Sequence, residues 1–462
     1  MDRPDYSPLE PIAALSTPWG QSALALVRVS GAGSLGLLEA LFEPPGALRA
    51  APGHTAVHGR LRDPAGGELV DEVLVMAYRA PRSFTGEESA EICTHGNPLI
   101  VGRVLEMLNR AGFRPAGPGE FTLRAFLNRR LDLTQAEAVN EIVRARTDRA
   151  RALAVHRLAG SVEGRIRELK QRLLTLEAAV EVRLDYPEED LPGELAPEAE
   201  LDGLEAGLAG LASTYRIGRL YQEGVSAVLA GRTNSGKSTL FNRLLREERA
   251  IVSEAPGTTR DYLEGGIELE GVPVRLFDTA GYGQAGDPVE REGQRRTDAL
   301  VEGAQLVLYL VDAAAGLQPE DRLFLQRRSG QASPAGQAGL LALWAKADLP
   351  GVPEAPAGFL AVSAATGLGI GELAREMGAR ILAGVGAARG EEAVIDSLRQ
   401  KELLEGALAS FREFRGGLRN GTSLDLLAVD LREALEALGR ITGEVVTQDI
   451  LEEIFSRFCV GK

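Results

Sequence analysis

The chain has 462 residues, 44% apolar and 25% charged, which is too long for one ordinary core and predicts two or three globular domains. A net charge of −15 excludes a protein that grips nucleic acid over its whole surface, though it allows a local basic patch. Two cysteines, Cys93 and Cys459, exclude a disulfide framework and fit a reducing, cytoplasmic compartment. The start MDRPDYSPLEP lacks the layout of a signal peptide, and the apolar run LVLYLVDAA (306–314) is too short for a membrane span, so no membrane partner is expected.

In chain order, ALALVRVSG (23–31), DEVLVMAYRA (71–80) and SAEICTHG (89–96) read as strands, and 98–112 as a helix ending near Gly112. This predicts an α+β segment over the first 120 residues. From about 132 the spacing becomes helical. Val139, Ile142 and Val143 sit at i, i+3, i+4, and Ile166, Leu169, Leu173, Leu176 and Val180 continue a seam that Pro187 and Pro192 end. A second helical stretch begins near 393, with Leu424, Leu427, Leu431, Leu435 and Leu438 on one face. Each seam needs a partner, and packing the two stretches together makes 220–384 an insertion. That insertion alternates VSAVLAG, a helix from Lys237, the paired strands GGIELE and VPVRLFDTAG, a helix from about 290, LVLYLVDAA, LLALWAKAD, GFLAVSA and a helix from 369. Such alternation predicts a mostly parallel sheet with helices on both faces.

The strand VSAVLAG leads into GRTNSGKST (231–239), which fits the phosphate-loop frame G-x-x-x-x-G-K-S/T. Its glycines let backbone N–H groups turn toward phosphate oxygens. Lys237 is placed to neutralise the β- and γ-phosphates and Ser238 to ligate magnesium, with Asn234, Ser235, Gly236 and Thr239 completing the loop. DTAG follows a strand, so Asp278 can hold magnesium through water and the Gly281 N–H can meet the γ-phosphate, with Thr279 and Ala280 between them. GTTRD (257–261) lies where a switch segment would close over the metal, and position favours a metal ligand at either threonine, Thr258 or Thr259, over a surface hydroxyl. AKAD (345–348) ends one strand, carrying Lys346 and Asp348, and Ser363, Ala364 and Ala365 end another. A carboxylate at Asp348 accepts from guanine N1–H and the 2-amino group and rejects adenine. Together these predict a GTP-binding domain. From the loop alone, Asn234 reads equally as an oxygen ligand and as a residue that tolerates a tight turn.

The chain resembles the MnmE (TrmE) family of tRNA-modification GTPases. The resemblance rests on VRVSG (27–31), SFTGEESAEICTHG (83–96), PGEFTLRAFLNRRLDLTQAEA (118–138) and the ending FCVGK (458–462). It implies a multidomain chain: an α+β N-terminal folate-binding and dimerisation domain (1–125), an all-α helical domain (126–220 and 385–462), and an inserted α/β Ras-like P-loop GTPase domain (221–384). It implies a homodimer that works with the flavin-dependent partner MnmG, in a heterotetramer or larger, on the wobble uridine of certain tRNAs. The modification is a carboxymethylaminomethyl or aminomethyl group, with 5-formyl- or 5,10-methylene-tetrahydrofolate as one-carbon donor.

The resemblance also implies activation by potassium in place of an arginine finger. Asn234, Ser253, Ala255 and Thr258 would hold the ion, within a nucleotide-facing run that includes Glu254, Pro256 and Gly257. It assigns water orientation to Glu290, where the residues alone favour a helix N-terminal glutamate. Folate contacts map onto Arg28, Glu91, Arg130 and Lys462; the family commonly has lysine at the place of Arg130. Cys459 reads as nucleophile, structural thiol or neither, and His95 as a satisfied turn histidine. The competing reading is a regulatory GTPase acting as a ribosome- or RNA-assembly switch, which has no need for the N-terminal motifs or FCVGK. One departure stands out: GTPases of this kind read N-K-x-D where this chain has Ala345.

Overall fold

The computed structural model describes residues 10–186, 195–251, 263–279, 297–329, 339–383 and 393–462. The described parts of Met1–Val143, Arg157–Leu195 and Ala409–Lys462 form one compact unit, and those of Arg144–His156 and Ala196–Leu408 form a second.

The first unit contains a seven-stranded sheet of β1 (Ile12–Leu15), β2 (Leu24–Ser30), β3 (Phe42–Glu43), β4 (Thr55–Arg62), β5 (Leu69–Tyr78), β6 (Ser89–His95) and β7 (Arg114–Pro115), in the order β3-β4-β5-β6-β2-β1-β7. Period-two alternation decides its faces. Val27, Val29, Val73, Val75 and Ile92 turn inward onto Val104, Met107 and Leu108 of the helix Pro98–Arg110, while Arg28 and Glu91 lie on the other face. Asn97 caps that helix by accepting the Leu99 N–H, and Pro98 occupies the first turn, where its missing N–H costs nothing.

The helix Ser161–Asp185 buries the expected seam from Ile166 to Val180. The helix Leu424–Thr442 buries Leu427, Leu431, Leu435 and Leu438, leaving Leu424 half-buried. The two pack against each other, with Arg432 Nε 3.3 Å from Glu177 Oε1 across the pair. The helix Leu133–Arg144 differs from expectation. It buries Leu133, Thr134, Ala136 and Ala138, and Val143 is 46% exposed. Phe455 and Phe458 pack onto Leu133 and Ala136 at its start, Val139 is partly buried against the same cluster, and Ile142 and Val143 lie beyond it.

The second unit contains β8 (Val225–Gly231), β9 (Arg249–Ile251), β10 (Leu263–Leu269), β11 (Val272–Asp278), β12 (Leu306–Asp312), β13 (Gly339–Ala345) and β14 (Phe359–Val362), in the order β14-β13-β12-β8-β11-β10-β9. The run from β14 to β11 is parallel; β10 and β9 are antiparallel. Alternate residues go to opposite cores: Leu306, Leu308 and Leu310 to one, Val307, Tyr309 and Val311 to the other. A sheet buried on both faces explains why β8 and β12 are nearly continuous apolar runs. The carboxyl ends of β8, β12 and β13 open on one side, where ligands bind in sheets of this kind. Among the described residues no helix is long and apolar enough to cross a membrane.

Candidate functional site

The phosphate loop runs from the end of β8 to the helix Lys237–Glu247. Gly231 has φ 144°, and a Cβ there would sit 2.4 Å from the Leu310 carbonyl oxygen and 3.0 Å from Ser235 Oγ, so only glycine fits. Asn234 adopts φ 64°, left-handed backbone that asparagine tolerates well. The loop's own geometry therefore accounts for an asparagine, and its carboxamide stays exposed.

Lys237 is 6% exposed and its Nζ donates to the carbonyls of Gly231 at 3.1 Å and Arg232 at 2.9 Å. Burial pushes its ammonium below the ordinary lysine range, and the Asp278 carboxylate works against that shift. Asp278 closes β11, is 7% exposed, and its Oδ1 has no hydrogen-bond partner among the described residues. A buried carboxylate oxygen left open beside a buried ammonium suits a hydrated divalent cation. Thr279 points back into the fold, donating to the Leu229 carbonyl at 2.8 Å. Ser238 and Thr239 are exposed at the start of the helix.

One cavity of about 240 Å³ joins the loop to the segments expected to recognise the base. Ser235, Gly236 and Thr239 line it with Ala345, Lys346, Asp348, Ser363, Ala364 and Ala365. The residues singled out from three separate motifs thus meet in one place. Lys346 takes φ 61° and its Nζ lies 2.7 Å from Asp312 Oδ2, a partner the sequence reading did not identify. The Asp348 carboxylate is exposed and takes no hydrogen bond among the described residues. Ser363 is fully buried, with its Oγ accepting the Thr366 N–H at 3.2 Å. Ser253, Glu254, Ala255, Pro256, Gly257, Thr258, Thr259, Ala280, Gly281 and Glu290 lie outside the described residues.

In the first unit, pairing of β2 with β6 sets Arg28 opposite Glu91. Arg28 Nε and Nη2 donate to Glu91 Oε1 at 3.1 and 2.7 Å, and Nη1 to the Gly461 carbonyl at 3.3 Å. The guanidinium lies 5.6 Å from the Phe84 ring centroid and 5.7 Å from that of Phe121. Tyr78 donates to Glu91 Oε2 at 3.4 Å, and burial, then the Glu91 charge, raise its hydroxyl pKa. Lys462 is held by its main chain, its carbonyl oxygen accepting the Phe121 N–H at 3.1 Å. Three of the four expected folate contacts are thereby gathered around the C-terminal tail. Arg130 is exposed, its side chain against Gly86, and lines a groove of about 810 Å³ with Arg129, Arg167 and Lys170. Tyr78, Phe84 and Phe121 were missed in the sequence: Tyr78 comes in by strand register, and Phe84 and Phe121 come from a loop and a helix that only the tertiary fold brings to Arg28.

Cys459 is exposed and Cys93 partly buried, both as free thiols. His95 Nδ1 lies 2.7 Å from Asp71 Oδ1. Among the described residues no group of three or more His, Cys, Asp or Glu could hold a metal ion.

Comparison with known proteins places these features in context. Residues 11–130 match the family model described as GTP-binding protein TrmE N-terminus, and 133–459 match the MnmE helical domain. The tRNA modification GTPase MnmE of Symbiobacterium thermophilum is 44% identical over 98% of this chain and 99% of that protein. The tRNA modification GTPase MnmE of Aquifex aeolicus is 42% identical over 98% of this chain and 100% of that protein. Among solved structures, the G domain of the T. maritima FeoB iron transporter is 25% identical, covering 33% of this chain and 96% of that one with a TM-score of 0.24.

Proposed function

The chain belongs to the MnmE (TrmE) family of tRNA-modification GTPases, and from that premise we propose a potassium-activated GTPase that modifies C5 of the wobble uridine of certain tRNAs. In this reading a homodimer works in the cytoplasm with a flavin-dependent partner of the MnmG kind. Residues 1–125 form the folate-binding and dimerisation domain, 126–220 with 385–462 the helical domain, and 221–384 the GTPase domain. A one-carbon tetrahydrofolate supplies the added carbon.

The observation that carries the nucleotide half is the single cavity joining Ser235 and Gly236 to Lys346, Asp348 and Ser363. The Lys237 ammonium, held on the carbonyls of Gly231 and Arg232, turns from them to the β- and γ-phosphate oxygens. Asp278 Oδ1, buried and open, would hold magnesium through a bound water, and Ser238 and Thr259 would be its side-chain ligands. The Asp348 carboxylate takes guanine N1–H and the 2-amino group. Asn234 offers its side-chain oxygen to potassium, with Ser253, Ala255 and Thr258 as the other ligands. Potassium, when bound, supplies positive charge beside the β–γ bridging oxygen, where negative charge grows as the bond breaks. Glu290 orients the attacking water.

For the folate half, Glu91 offers a carboxylate to the N–H edge of the pterin beside Arg28, whose guanidinium the rings of Phe84 and Phe121 flank. Arg130 and Lys462 supply positive charge for the anionic end. The test is direct. The full chain should hydrolyse GTP much faster in potassium than in sodium and should bind 5-formyl-tetrahydrofolate. Equal rates in the two salts would remove the first half of this reading, and absence of folate binding the second.

A further inference from the structure

Ala345 is the last residue of β13, 4% exposed, at the floor of the 240 Å³ cavity. Its strand register is fixed on both sides by pairing with Asp312 of β12 and Val362 of β14. No slip of one residue can therefore bring a polar side chain to this place. Where related GTPases carry an asparagine carboxamide, this pocket carries a methyl group.

A second observation marks the same space. Ser235 lines the cavity, is 2% exposed, and its Oγ has no hydrogen-bond partner among the described residues. Buried hydroxyls are normally partnered, so Ser235 marks a position where a polar group is missing. Of the neighbouring polar side chains, Lys346 Nζ is held by Asp312, and Ser363 Oγ accepts the Thr366 N–H.

Guanine has two recognisable edges. The Watson–Crick edge presents N1–H and the 2-amino group as donors, which suit an acceptor such as Asp348. The opposite edge presents N7 as an acceptor, which requires a donor from the protein. Position 345 has none to give. We infer that this pocket reads guanine by its Watson–Crick edge alone and leaves N7 unread, so that guanine nucleotides altered at N7 are accepted as readily as the natural ones. This rests on the GTP-binding reading of the pocket and on Asp348 as its base acceptor.

The test titrates the full chain with GDP, 7-deaza-GDP and inosine diphosphate. GDP and 7-deaza-GDP, which differ only by a nitrogen replaced with C–H, should bind within roughly twofold of each other. Inosine diphosphate, which lacks the 2-amino group, should bind roughly tenfold more weakly or worse, because an acceptor in the pocket loses its donor. In Ala345→Asn a preference for GDP over 7-deaza-GDP of roughly threefold to tenfold should appear, the effect of one neutral hydrogen bond. A threefold or larger preference for GDP in the unmodified chain would overturn the inference, since some donor then reaches N7. So would an Ala345→Asn variant that binds both nucleotides alike, since N7 then lies elsewhere. Equal binding of GDP and inosine diphosphate would instead remove Asp348 from the base, whatever the 7-deaza result.

Discussion

Arg28 and Glu91 face each other across β2 and β6 at 2.7 Å, and the same guanidinium reaches the Gly461 carbonyl near the end of the chain. One ion pair thus ties the sheet to the C-terminal tail. Gly461 has φ 92°, and a Cβ there would sit 2.5 Å from the Leu15 carbonyl oxygen. Gly461→Ala should therefore displace the tail, at a cost of about 1–3 kcal/mol for the strained backbone alone. If Lys462 and Arg28 share the folate site, affinity for 5-formyl-tetrahydrofolate should fall while GTP turnover stays near its starting value. Calorimetric titration of the variant checks this, and unchanged folate affinity would detach the tail from the site.

His95 offers a pH test. Its Nδ1 meets the buried Asp71, and that hydrogen bond, followed by the Asp71 charge, raises its pKa above the ordinary 6.5. A folded-state pKa above the unfolded one means the interaction is fully present below 6.5 and is lost as pH rises through the raised value. An NMR titration should place His95 above 6.5, and Asp71→Asn should bring it back toward that value. A His95 that titrates lower than 6.5 in the unmodified chain would contradict the contact.

How far these sites could be read from sequence depends on what sets each one. The phosphate loop, AKAD and SAA are contiguous motifs on the ends of mostly apolar strands, so the residues that meet in one cavity were legible, as was DTAG at the end of β11. β4 was not, because its TAVHGRLR sequence turns polar and exposed residues to the open face and buries only Gly59 and Leu61. Arg28 and Glu91 each came through family resemblance, but their pairing did not; spacing carries no sign of it, since register between strands 63 residues apart is a tertiary property. The seam over 139–143 misled because helical periodicity shows which residues share a face without showing how far along the helix a partner extends.

Potassium dependence tests Asn234. Its left-handed backbone explains the residue without any ion, so geometry and chemistry must be separated by experiment. Asn234→Gly keeps the backbone accessible and deletes the oxygen. This variant should retain GTP binding but lose most of the difference in rate between potassium and sodium. Ammonium and rubidium should substitute in part for potassium in the unmodified chain, because a ring of oxygen ligands selects by size. A variant that keeps its potassium stimulation would leave Asn234 with the structural role only.

Glu290 is assigned to the attacking water. Glu290→Ala should slow hydrolysis by roughly a hundredfold or more, the usual scale for losing a positioned acid or base, with GTP affinity little changed. Stopped-flow binding alongside single-turnover hydrolysis separates the two. A large loss of affinity would point to a structural glutamate at a helix start.

Ala345→Asn should tighten GDP and GTP alike. The methyl of Ala345 leaves Ser235 Oγ buried and without a partner, and leaves the base edge without a donor. A carboxamide at the end of β13 has both a donor and an acceptor to offer across that cavity. One neutral hydrogen bond to the base contributes about 0.5–1.5 kcal/mol, which is roughly threefold to tenfold in affinity, while a bond to Ser235 Oγ would stabilise the free and bound protein alike. The opposing term is the volume of the longer side chain in a buried position, and overpacking of a tight core commonly costs about 1–3 kcal/mol. Here the side chain faces a cavity of about 240 Å³, so the hydrogen-bond term should win. The present pocket should consequently bind nucleotide weakly and exchange it quickly, without an exchange factor. Preference for GTP over ATP should survive in both forms, because Asp348 is untouched. Fluorescent-nucleotide dissociation rates give the answer: slower release from Ala345→Asn is expected for GDP and GTP in equal proportion. If release is unchanged, the pocket already supplies what the asparagine would have supplied, and the weak-binding account of Ala345 fails.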